Sequence, residues 1–493
     1  MPARTGKDYI DRLDRESRDV WIQGERVVES ISSHPAFKNI TRSIAHLYDM
    51  QHVEGTRDRM TYTSPTSGER VGLSFLQPRS VEDLERRHAA MALWAEDSGG
   101  MMGRTPDYLN SSLMAMAAAA DFFGDAEPAF ARNIRAYYEY VRENDLCLTH
   151  TLINPQSNRA VGPARQKDPY LAARIVKRTD DGVVIRGARM LATLGPISDE
   201  IMVFPSTLLK GQAEDEPYAY AFAIPSSTPG LKYICRESFD YGRSHFDHPL
   251  GSRFEEMDAI VVFEDVLVPN ERIFLLADAK RCNEVFAATG AVVHMTHQVL
   301  VKNVAKTAFL LGIVLSVIDM IGIEQFQHVQ EKAAEVILAL ESLKAFLRAS
   351  EADAAIDEWG IMRPAWNPLN AARNIYPKTY PRLVEIIQQL GASGLMAVPT
   401  EADLTGPVGP VVERYLEARN ADAYNRIRLF RLAWDAACSS FGTRQVLYER
   451  FFFGDPVRMA GALYQSYDKT PYMDEIRRFL EREDAPAPSG TKA

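Results

Sequence analysis

The apolar residues of this 493-residue chain change their spacing twice, and the resulting order constrains the fold more than any other feature. Helical spacing runs from 1 to 146, short alternating segments bounded by Pro, Gly or Asp fill 147–275, and long helical segments return over 276–480. The alternating zone predicts an antiparallel β domain, a small barrel or a sandwich, and the last zone predicts a four-helix bundle. We therefore predict an α+β multidomain fold with an N-terminal helical domain, a middle β-barrel domain, a C-terminal helical bundle and a disordered tail at 481–493.

Local signals mark individual elements inside these zones. Thr105, Pro106 and Asp107 predict a helix start, with a capping threonine, a proline at the first helical position and an acid in the first turn. An Asp-Gly pair between two alternating runs near 181 predicts a β-hairpin. The segment 283–312 is predicted to form one long helix of the C-terminal bundle.

Charge and cysteine usage exclude several classes of protein. The net charge of −10, with scattered Lys and Arg, argues against nucleic-acid binding. The four cysteines lie singly without a CxxC pair, which predicts neither disulfides nor a closed zinc site and fits a cytoplasmic location. The longest apolar run, 307–323, contains Ser316 and Asp319 and is shorter than the roughly 20 residues of a membrane span. We interpret it as a buried helix and predict a soluble protein with no membrane partner.

The start of the helix after Thr105 is a candidate anion site. The sequence has no GxGxxG after a strand, no GxxxxGK[ST] and no GxSxG, so it supports neither a nicotinamide site, a P-loop nor a nucleophile elbow. Arg104 and Tyr108 flank the helix start, where partial positive charge favours an anion such as a phenolate oxygen. A surface arginine and a packing tyrosine would give the same pattern.

The stretch LTHTLINPQSNR (148–159) places His150 in a strand-like run that breaks at Asn154 into a polar segment. On a strand, His150 faces away from Thr149 and Thr151, so these neighbours serve two different surfaces. A buried histidine with its hydrogen bonds satisfied is the simpler interpretation. The density of hydrogen-bonding groups instead favours contact with the edge of a flat heterocycle.

Three further features have two interpretations each. His294 and His297 share one helix face, but no third ligand stands at a recognisable spacing, so we predict no metal and interpret them as core or pocket histidines. Gly391 and Gly394 would let backbone approach a pyrophosphate, or they simply end a helix. The run FFFGDPVRM (451–459) is by itself a turn.

Taken together, the chain resembles the oxygenase component of the two-component 4-hydroxyphenylacetate 3-monooxygenase family. The motifs that carry the resemblance are GRTPDYLNSSLMAM, LTHTLINPQSNR, MLATLGPISDE, QQLGASGL and FFGDPVRM, in matching order along nearly the whole chain. The resemblance implies a fold similar to acyl-CoA dehydrogenases and assembly as a homotetramer. It also implies O2 and FAD, the latter supplied as FADH2 by a separate NAD(P)H-flavin reductase, and a phenolic small molecule as substrate.

Carried over onto matching positions, the resemblance assigns roles to individual side chains. Arg104, Tyr108 and His150 would hold the phenol oxygen of the substrate. The residues that would lie near the rest of the substrate are Ser206 and Thr207, with His294 and His297 as further candidates. The residues that would contact the flavin are His150, Thr151, Leu152, Gln156, Ser157, Asn158, Arg159, Thr193, Gly454, Asp455, Pro456 and Val457, together with Gln388, Gly391 and Gly394, which resemble a stretch that meets a neighbouring subunit's flavin pyrophosphate.

The implied reaction is ortho-hydroxylation of a 4-substituted phenol, such as 4-hydroxyphenylacetate, to a catechol. It would pass through a flavin C4a-hydroperoxide, which survives only where water is excluded. Arg104 and Tyr108 would stabilise developing phenolate charge, each by roughly 10²–10³ in rate, and His150 would assist deprotonation.

Other functions stay open to different degrees. A halophenol or a tyrosine-derived metabolite would suit the same phenol end, and Arg104 with His294 or His297 would serve chlorinated phenols. An acyl-CoA dehydrogenase-like flavoenzyme would need a catalytic glutamate that the sequence does not reveal. A 4-hydroxybutyryl-CoA dehydratase needs cysteine ligands for an iron–sulfur cluster, and none stands near the Tyr108 helix. A non-catalytic scaffold would leave these polar residues without a common purpose.

Overall fold

The computed structural model describes residues 3–155, 157–205 and 209–482. Among the predicted residues, Gln156, Ser206, Thr207 and the tail from 483 onward lie outside these ranges. The helices are α1 Gly6–Arg15, α2 Lys38–Met50, α3 Arg57–Met60, α4 Val81–Asp97, α5 Pro106–Ala118, α6 Ala120–Gly124, α7 Pro128–Asn144, α8 Gly251–Phe254, α9 Ala279–Ala288, α10 Ala291–Ile321, α11 Gln327–Ala352, α12 Trp366–Met396, α13 Glu401–Thr405, α14 Gly409–Tyr415, α15 Ala423–Ala437, α16 Ser440–Phe451, α17 Pro456–Ser466 and α18 Thr470–Leu480. The strands are β1 Asp19–Ile22, β2 Glu25–Arg26, β3 Thr61–Thr63, β4 Arg70–Gly72, β5 Leu148–Thr151, β6 Arg174–Thr179, β7 Gly182–Thr193, β8 Glu200–Val203, β9 Tyr220–Pro225, β10 Leu231–Cys235, β11 Asp258–Pro269, β12 Ile273–Leu276, β13 Ala355–Ile356 and β14 Met362–Arg363.

The N-terminal part of the chain is mainly helical, as predicted. α5 begins at Pro106, where the sequence places a helix start, and it is buried along nearly its whole length. Thr105 does not cap α5, however, because its hydroxyl donates to the Asp107 carboxylate at 2.6 Å instead of accepting from a helix N–H. The predicted capping role of Thr105 is therefore wrong. Burial of α5 makes it a rigid support for Tyr108.

The strands of the described residues form two principal sheets. One has six strands in the order β2-β1-β10-β11-β7-β6, and the other has four in the order β12-β9-β8-β5. Most pairings are antiparallel, including the predicted hairpin of β6 and β7, while β1 with β10 and β5 with β8 are parallel. The structure thus differs from a closed barrel formed by 147–275 alone, because β1, a strand of four residues within the predicted helical zone, pairs with β10.

β5 stands where the two sheets meet. It pairs with β8 in the four-stranded sheet, and an isolated bridge just after it joins Ile153 to Met190 of β7 in the six-stranded sheet. α7 ends at Asp145 in a left-handed conformation, φ 48°, which turns the chain into β5. The junction gives β5 neighbours from both sheets.

α10 is the central helix of the C-terminal region and packs against α4, α5, α11, α12 and α15. It is long and apolar enough to cross a membrane by length and composition, but this packing is that of a bundle core, as the run 307–323 predicts. The predicted single helix over 283–312 is broken at Gly290, whose φ of 68° separates α9 from α10. The predicted break near Gly391 is present, because α12 consists of two helices that meet at a kink at Ala392, φ 43°.

Two apolar cores hold these elements together. One joins the N-terminal helices to both sheets, and the other fills the space between the C-terminal helices. The predicted domain limit at 146 falls between α7 and β5, and the limit at 275 falls inside β12. The division into domains at these limits stays a prediction.

Candidate active site

Arg104 lies in the loop before α5, among three aromatic rings. Its guanidinium carbon is 4.5 Å from the ring centres of both Tyr108 and Phe452 and 5.4 Å from that of Tyr448. Nη1 donates to the Tyr448 hydroxyl at 2.8 Å, and the backbone N–H donates to Glu256 at 2.6 Å. Within the described part of the chain, no carboxylate pairs with the guanidinium. A cation held on aromatic faces without a counter-ion is suited to an anionic ligand.

His150 stands beside this cation, on the buried strand β5. Its ring centre is 5.9 Å from that of Tyr108, and its Nδ1 is buried without a hydrogen-bond partner among the described residues. Burial, and then the charge of Arg104, lower the pKa of His150 well below its ordinary value, so the imidazole is neutral. Burial raises the pKa of Tyr108, so that side chain keeps its hydroxyl proton. The structure therefore brings together a proton acceptor, a hydroxyl donor and a guanidinium.

The other face of β5 carries Thr149 and Thr151, as the alternation predicts, and it is fixed to β7. Thr149 donates to the carbonyl of Thr193 at 2.6 Å, and Thr151 donates to the carbonyl of Met190 at 3.0 Å. The Thr193 hydroxyl in turn donates to Asp258 at 2.8 Å. These bonds set Thr193, a predicted flavin contact, next to the strand that carries the histidine.

The polar segment after β5 becomes progressively exposed. Leu152 is half-buried, whereas Ser157, Asn158 and Arg159 are exposed. Between them, Oδ1 of Asn154 is buried and has no hydrogen-bond partner among the described residues. A buried acceptor without a partner fits a bound polar group.

The segment 454–457 lies close to the same site through the preceding aromatic run. The ring centre of Phe452 is 5.4 Å from that of Tyr108. Two residues further on, Gly454 adopts φ 114°, and Asp455 caps α17 by accepting from the backbone N–H of Val457 at 3.0 Å. Pro456 is the first residue of α17. The predicted flavin-contacting segment therefore begins two residues after Phe452, one of the aromatic residues around Arg104.

The predicted pyrophosphate-contacting residues have partners within the helices of this chain. Nε2 of Gln388 donates to the carbonyl of Ala437 at 2.7 Å. A Cβ at Gly394 would lie 2.7 Å from the ring of Phe430, so close helix packing requires this glycine. The contact of Gln388, Gly391 and Gly394 with a neighbouring subunit's flavin stays a prediction.

His294 and His297 lie one turn apart on α10, and both are buried. Nε2 of His297 is 2.8 Å from Glu351, whose same oxygen is 2.8 Å from His88. Nε2 of His294 is buried and has no hydrogen-bond partner among the described residues. Hydrogen bonds and ring contacts of the described residues join neither histidine to Arg104, so their predicted role with the substrate stays a prediction.

Several side chains at the site carry no local signal in the sequence. Arg373 of α12 lies near Tyr108, and burial lowers its pKa to about 10, an effect that the tyrosine opposes. Its guanidinium carbon is 5.1 Å from the ring centre of Trp366 and 5.2 Å from that of Phe453, and its Nε has no hydrogen-bond partner among the described residues. The aromatic run at 451–453 was the one signal that could have indicated this surround.

Family models match the two parts of the chain. The model described as 4-hydroxyphenylacetate 3-hydroxylase N terminal matches residues 5–275, and the model for the C terminal part matches 282–481. The 4-hydroxyphenylacetate 3-monooxygenase oxygenase component of Geobacillus sp. (strain PA-9) is 53% identical over 97% of each chain, and that of Thermus thermophilus is 51% identical over 97% of this chain and 98% of its own. A more distant relative is the oxygenase component of 4-nitrophenol 2-monooxygenase from Rhodococcus sp, 33% identical over 97% of this chain and 91% of its own.

Solved structures agree with this assignment. A crystal structure of the oxygenase component of 4-hydroxyphenylacetate 3-monooxygenase, complexed with FAD and 4-hydroxyphenylacetate, superposes with a TM-score of 0.93 at 51% identity over 97% of this chain and 98% of that chain. An archaeal 4-hydroxybutyryl-CoA dehydratase from N. maritimus shares the fold alone, with a TM-score of 0.87 at 19% identity over 99% of this chain and 97% of its own. The predicted fold class and the resemblance are both confirmed. The chain belongs to the 4-hydroxyphenylacetate 3-hydroxylase family of flavin-dependent monooxygenases.

Proposed function

We propose that this chain is the oxygenase component of a two-component system that hydroxylates 4-hydroxyphenylacetate ortho to its hydroxyl, giving a catechol. The observation that carries the proposal is that Arg104 and His150 both lie against Tyr108, and that Nδ1 of His150 is buried without a hydrogen-bond partner among the described residues. The relatives that are 53% and 51% identical bear the name of this activity, which supports the substrate class.

Reduced FAD is the proposed cofactor, supplied by a separate NAD(P)H-flavin reductase. The residues fit such a group, because Nδ1 of His150, Oδ1 of Asn154 and Nε of Arg373 are buried polar atoms without protein partners among the described residues. We propose that the edge of the flavin is held by the Thr151–Arg159 segment and Thr193, and its other parts by 454–457. When bound, reduced flavin supplies two electrons and activates dioxygen so that one oxygen atom becomes electrophilic.

The chain's own side chains prepare the phenol for that oxygen. Arg104 compensates negative charge on the phenol oxygen, and Tyr108 donates a hydrogen bond to it. The neutral imidazole of His150 accepts the phenol proton as the ring carbon ortho to the oxygen becomes electron-rich. In the overall reaction the phenol, O2 and FADH2 give a catechol, water and FAD, so atoms and electrons balance.

Other phenols are the alternative substrates. The relative that is 33% identical is named for 4-nitrophenol, and another that is 33% identical is named for a chlorinated hydroxyphenyl compound held on a carrier protein. A halophenol, a tyrosine-derived metabolite or a hydroxycinnamate would meet the same phenol end. The residues predicted to lie near the substrate's carboxylate, Ser206 and Thr207, lie outside the described residues. The choice among these phenols therefore depends on sequence identity, which is higher to the 4-hydroxyphenylacetate enzyme, at 53%, and favours 4-hydroxyphenylacetate.

The setting of the protein is proposed with the activity. We propose a homotetramer, in which Gln388, Gly391 and Gly394 meet a neighbouring subunit's flavin, and a cytoplasmic location. All four cysteines are free thiols, which fits a reducing compartment.

Turnover with a flavin reductase, FAD, NADH and 18O2 tests the proposal directly. With 4-hydroxyphenylacetate, we expect one 18O atom in a catechol product and NADH consumption that matches catechol formation. With 4-nitrophenol or a chlorophenol as the better substrate, the monooxygenase holds and the proposed substrate falls. Peroxide alone, with no oxygenated product from any phenol, would contradict the proposed activity.

A further inference from the structure

The loop that carries Arg104 is held by one face of a helix from the far end of the chain. Nε2 of Gln445 donates to the carbonyl of Met101 at 2.8 Å. One turn along α16, the hydroxyl of Tyr448 is 3.2 Å from the carbonyl of Gly103 and 2.8 Å from Nη1 of Arg104. Three contacts to the loop 101–104 therefore come from α16. We propose that Tyr448 is a positioning residue that orients the Arg104 guanidinium toward the phenol oxygen and so favours the ionised form of the bound phenol; this inference rests on the proposed function.

The hydrogen bonds of Tyr448 have only one possible direction. A guanidinium donates and never accepts, so the Tyr448 oxygen accepts from Arg104. Its single proton is then directed to the carbonyl of Gly103. Burial raises the pKa of Tyr448 well above its ordinary value, so this proton is retained. A phenylalanine at 448 would keep the ring and lose both bonds.

Aromatic stacking alone does not fix the guanidinium. The rings of Tyr108 and Phe452, each 4.5 Å from its central carbon, restrict the cation to the space over their faces. Rotation within that space is limited by the bond from Nη1 to Tyr448. Nε and Nη2 of Arg104 have no hydrogen-bond partner among the described residues, so these donors are left for a ligand.

Gly103 shows how closely Tyr448 approaches the loop. A Cβ at residue 103 would lie 2.4 Å from both Cζ and the hydroxyl oxygen of Tyr448, a separation that packed atoms do not adopt. Gly103 is therefore required by the approach of the tyrosine. An alanine there would displace Tyr448 without removing its hydroxyl or any other functional group.

Charge behind Tyr448 favours an anion in front of it. Glu449 accepts from Lys302 at 2.5 Å and from Lys306 at 2.7 Å, and all three are buried. On the other side, Arg444 joins Glu256 and Asp258. Arg236 extends this set, because it pairs with both Asp258 and Glu255. Among the described residues the set then has five cations against four carboxylates, which leaves one positive charge; its members are Arg104, Arg236, Lys302, Lys306, Arg444, Glu255, Glu256, Asp258 and Glu449. A phenolate would neutralise that charge.

The experiment measures the ionisation of a bound chromophoric phenol in the full chain, without flavin. 4-Nitrophenol absorbs differently as phenol and as phenolate, so its absorbance against pH reports the pKa of the bound ligand. For Tyr448→Phe we expect the phenolate to bind about tenfold more weakly, since a hydrogen bond that orients a charged group is disturbed, and the pKa of the bound ligand to rise accordingly. Nitrobenzene, which has no hydroxyl, should bind both proteins equally.

Two further variants separate positioning from folding. Gly103→Ala should reproduce the selective loss of phenolate binding, because it displaces Tyr448 without deleting its hydroxyl. Tyr464→Phe, at a tyrosine that is 70% exposed on α17, should change nothing. The inference is overturned if Tyr448→Phe leaves phenolate binding intact, or if it weakens nitrobenzene as much as the phenolate. If the unaltered chain binds 4-hydroxyphenylacetate and 4-nitrophenol no better than nitrobenzene, the proposed function itself fails.

Discussion

Two arginines of this protein are held by tyrosines in the same way and differ in one respect. The guanidinium carbon of Arg4 lies 4.4 Å from the ring centre of Tyr48, and its Nη2 donates to that hydroxyl at 3.0 Å. Arg104 has the same two kinds of contact, with Tyr448 as the hydroxyl partner. Arg4, however, also binds the Asp199 carboxylate at 2.6 Å, whereas Arg104 has no carboxylate partner among the described residues.

The difference separates a structural arginine, Arg4, from Arg104, which we propose binds the substrate. Asp199 also accepts from the backbone N–H of Cys147 at 2.7 Å, so the Arg4 pair fixes the chain just before β5. Burial lowers the pKa of Arg4, but Asp199, Tyr48 and Asp145 together outweigh that effect and raise it. The positive charge of Arg4 is thus compensated by Asp199 inside the fold. We propose that the charge of Arg104 is left for a substrate. The Arg4–Asp199 pair lies at the start of β5, and Arg104 lies beside His150 of the same strand.

The largest expected effect is on stability, from Arg4→Met. Removing one partner leaves the Asp199 carboxylate buried without its main counter-ion, which costs about 3–5 kcal/mol of unfolding free energy. Hydroxylation per folded molecule should be retained. Chemical denaturation gives the free energy, with Arg15→Met as the control because Arg15 is exposed. A loss no larger than that of the control would place Arg4 outside the folding determinants.

Arg104→Met should reverse this pattern. Loss of the guanidinium should lower the hydroxylation rate by about 10²–10³, the usual range for one preorganised electrostatic group. The denaturation midpoint should hardly move, because no carboxylate side chain in the described part of the chain loses a salt bridge to Arg104. Arg104→Lys keeps the charge but not the planar group, so its rate should lie between the two. If Arg104→Met unfolds as readily as Arg4→Met, the distinction between the two arginines is false.

Two buried aspartates extend the comparison to pH. Burial raises the pKa of Asp107 to about 6, against the hydrogen bonds from Thr105 and Gln298. At Asp199, burial is outweighed by Arg4 together with Arg12 and the Cys147 N–H, and the pKa is lowered. Asp107 therefore contributes stability below its unfolded pKa that is lost as pH rises through about 6, and Asp199 contributes stability that is lost as pH falls through its lowered pKa.

We accordingly expect the unfolding free energy of Asp107→Asn to rise relative to that of the unaltered chain between pH 4 and pH 8, by at most about 3 kcal/mol. Denaturation of both proteins at several pH values isolates this contribution, because other titrating groups are common to both. A difference that does not vary with pH would mean that Asp107 is ionised throughout the range.

Local pattern was sufficient for the order of the helical and β zones and for the faces of β5. Strand alternation alone predicts that Thr149 and Thr151 face away from His150, and their bonds to β7 agree with that prediction. Pattern failed where tertiary contacts decide, as at Gly290, where a left-handed residue divides a periodic segment into two helices. Pattern also failed to predict β1, because a strand of four residues between helices is too short to show a clear alternation.

Only those parts of the candidate site that lie within short sequence motifs were predictable. Arg104, Tyr108 and His150 stand in recognisable motifs, whereas Tyr448 is 344 residues from the arginine it holds. No periodicity encodes a contact of that range, and Arg373 on α12 has no local signal either. The aromatic run at 451–453 was interpreted only as part of a turn, because the packing of Phe452 on Tyr108 joins distant parts of the chain and does not depend on spacing.

The smallest expected effect is that of Arg12→Met, which tests whether nearness to Asp199 is enough. Nε of Arg12 is 3.3 Å from the other Asp199 oxygen without forming a hydrogen bond, and it also pairs with Glu16 at 3.2 Å. Because its side chain is about a quarter exposed, at 24%, solvent screens the pair and the loss should be about 0.2–1 kcal/mol. The double variant with Arg4→Met gives the coupling between the two arginines. If Arg12 takes over the carboxylate once Arg4 is gone, the double variant should lose more than the sum of the two single losses, since Asp199 is then left without any cation.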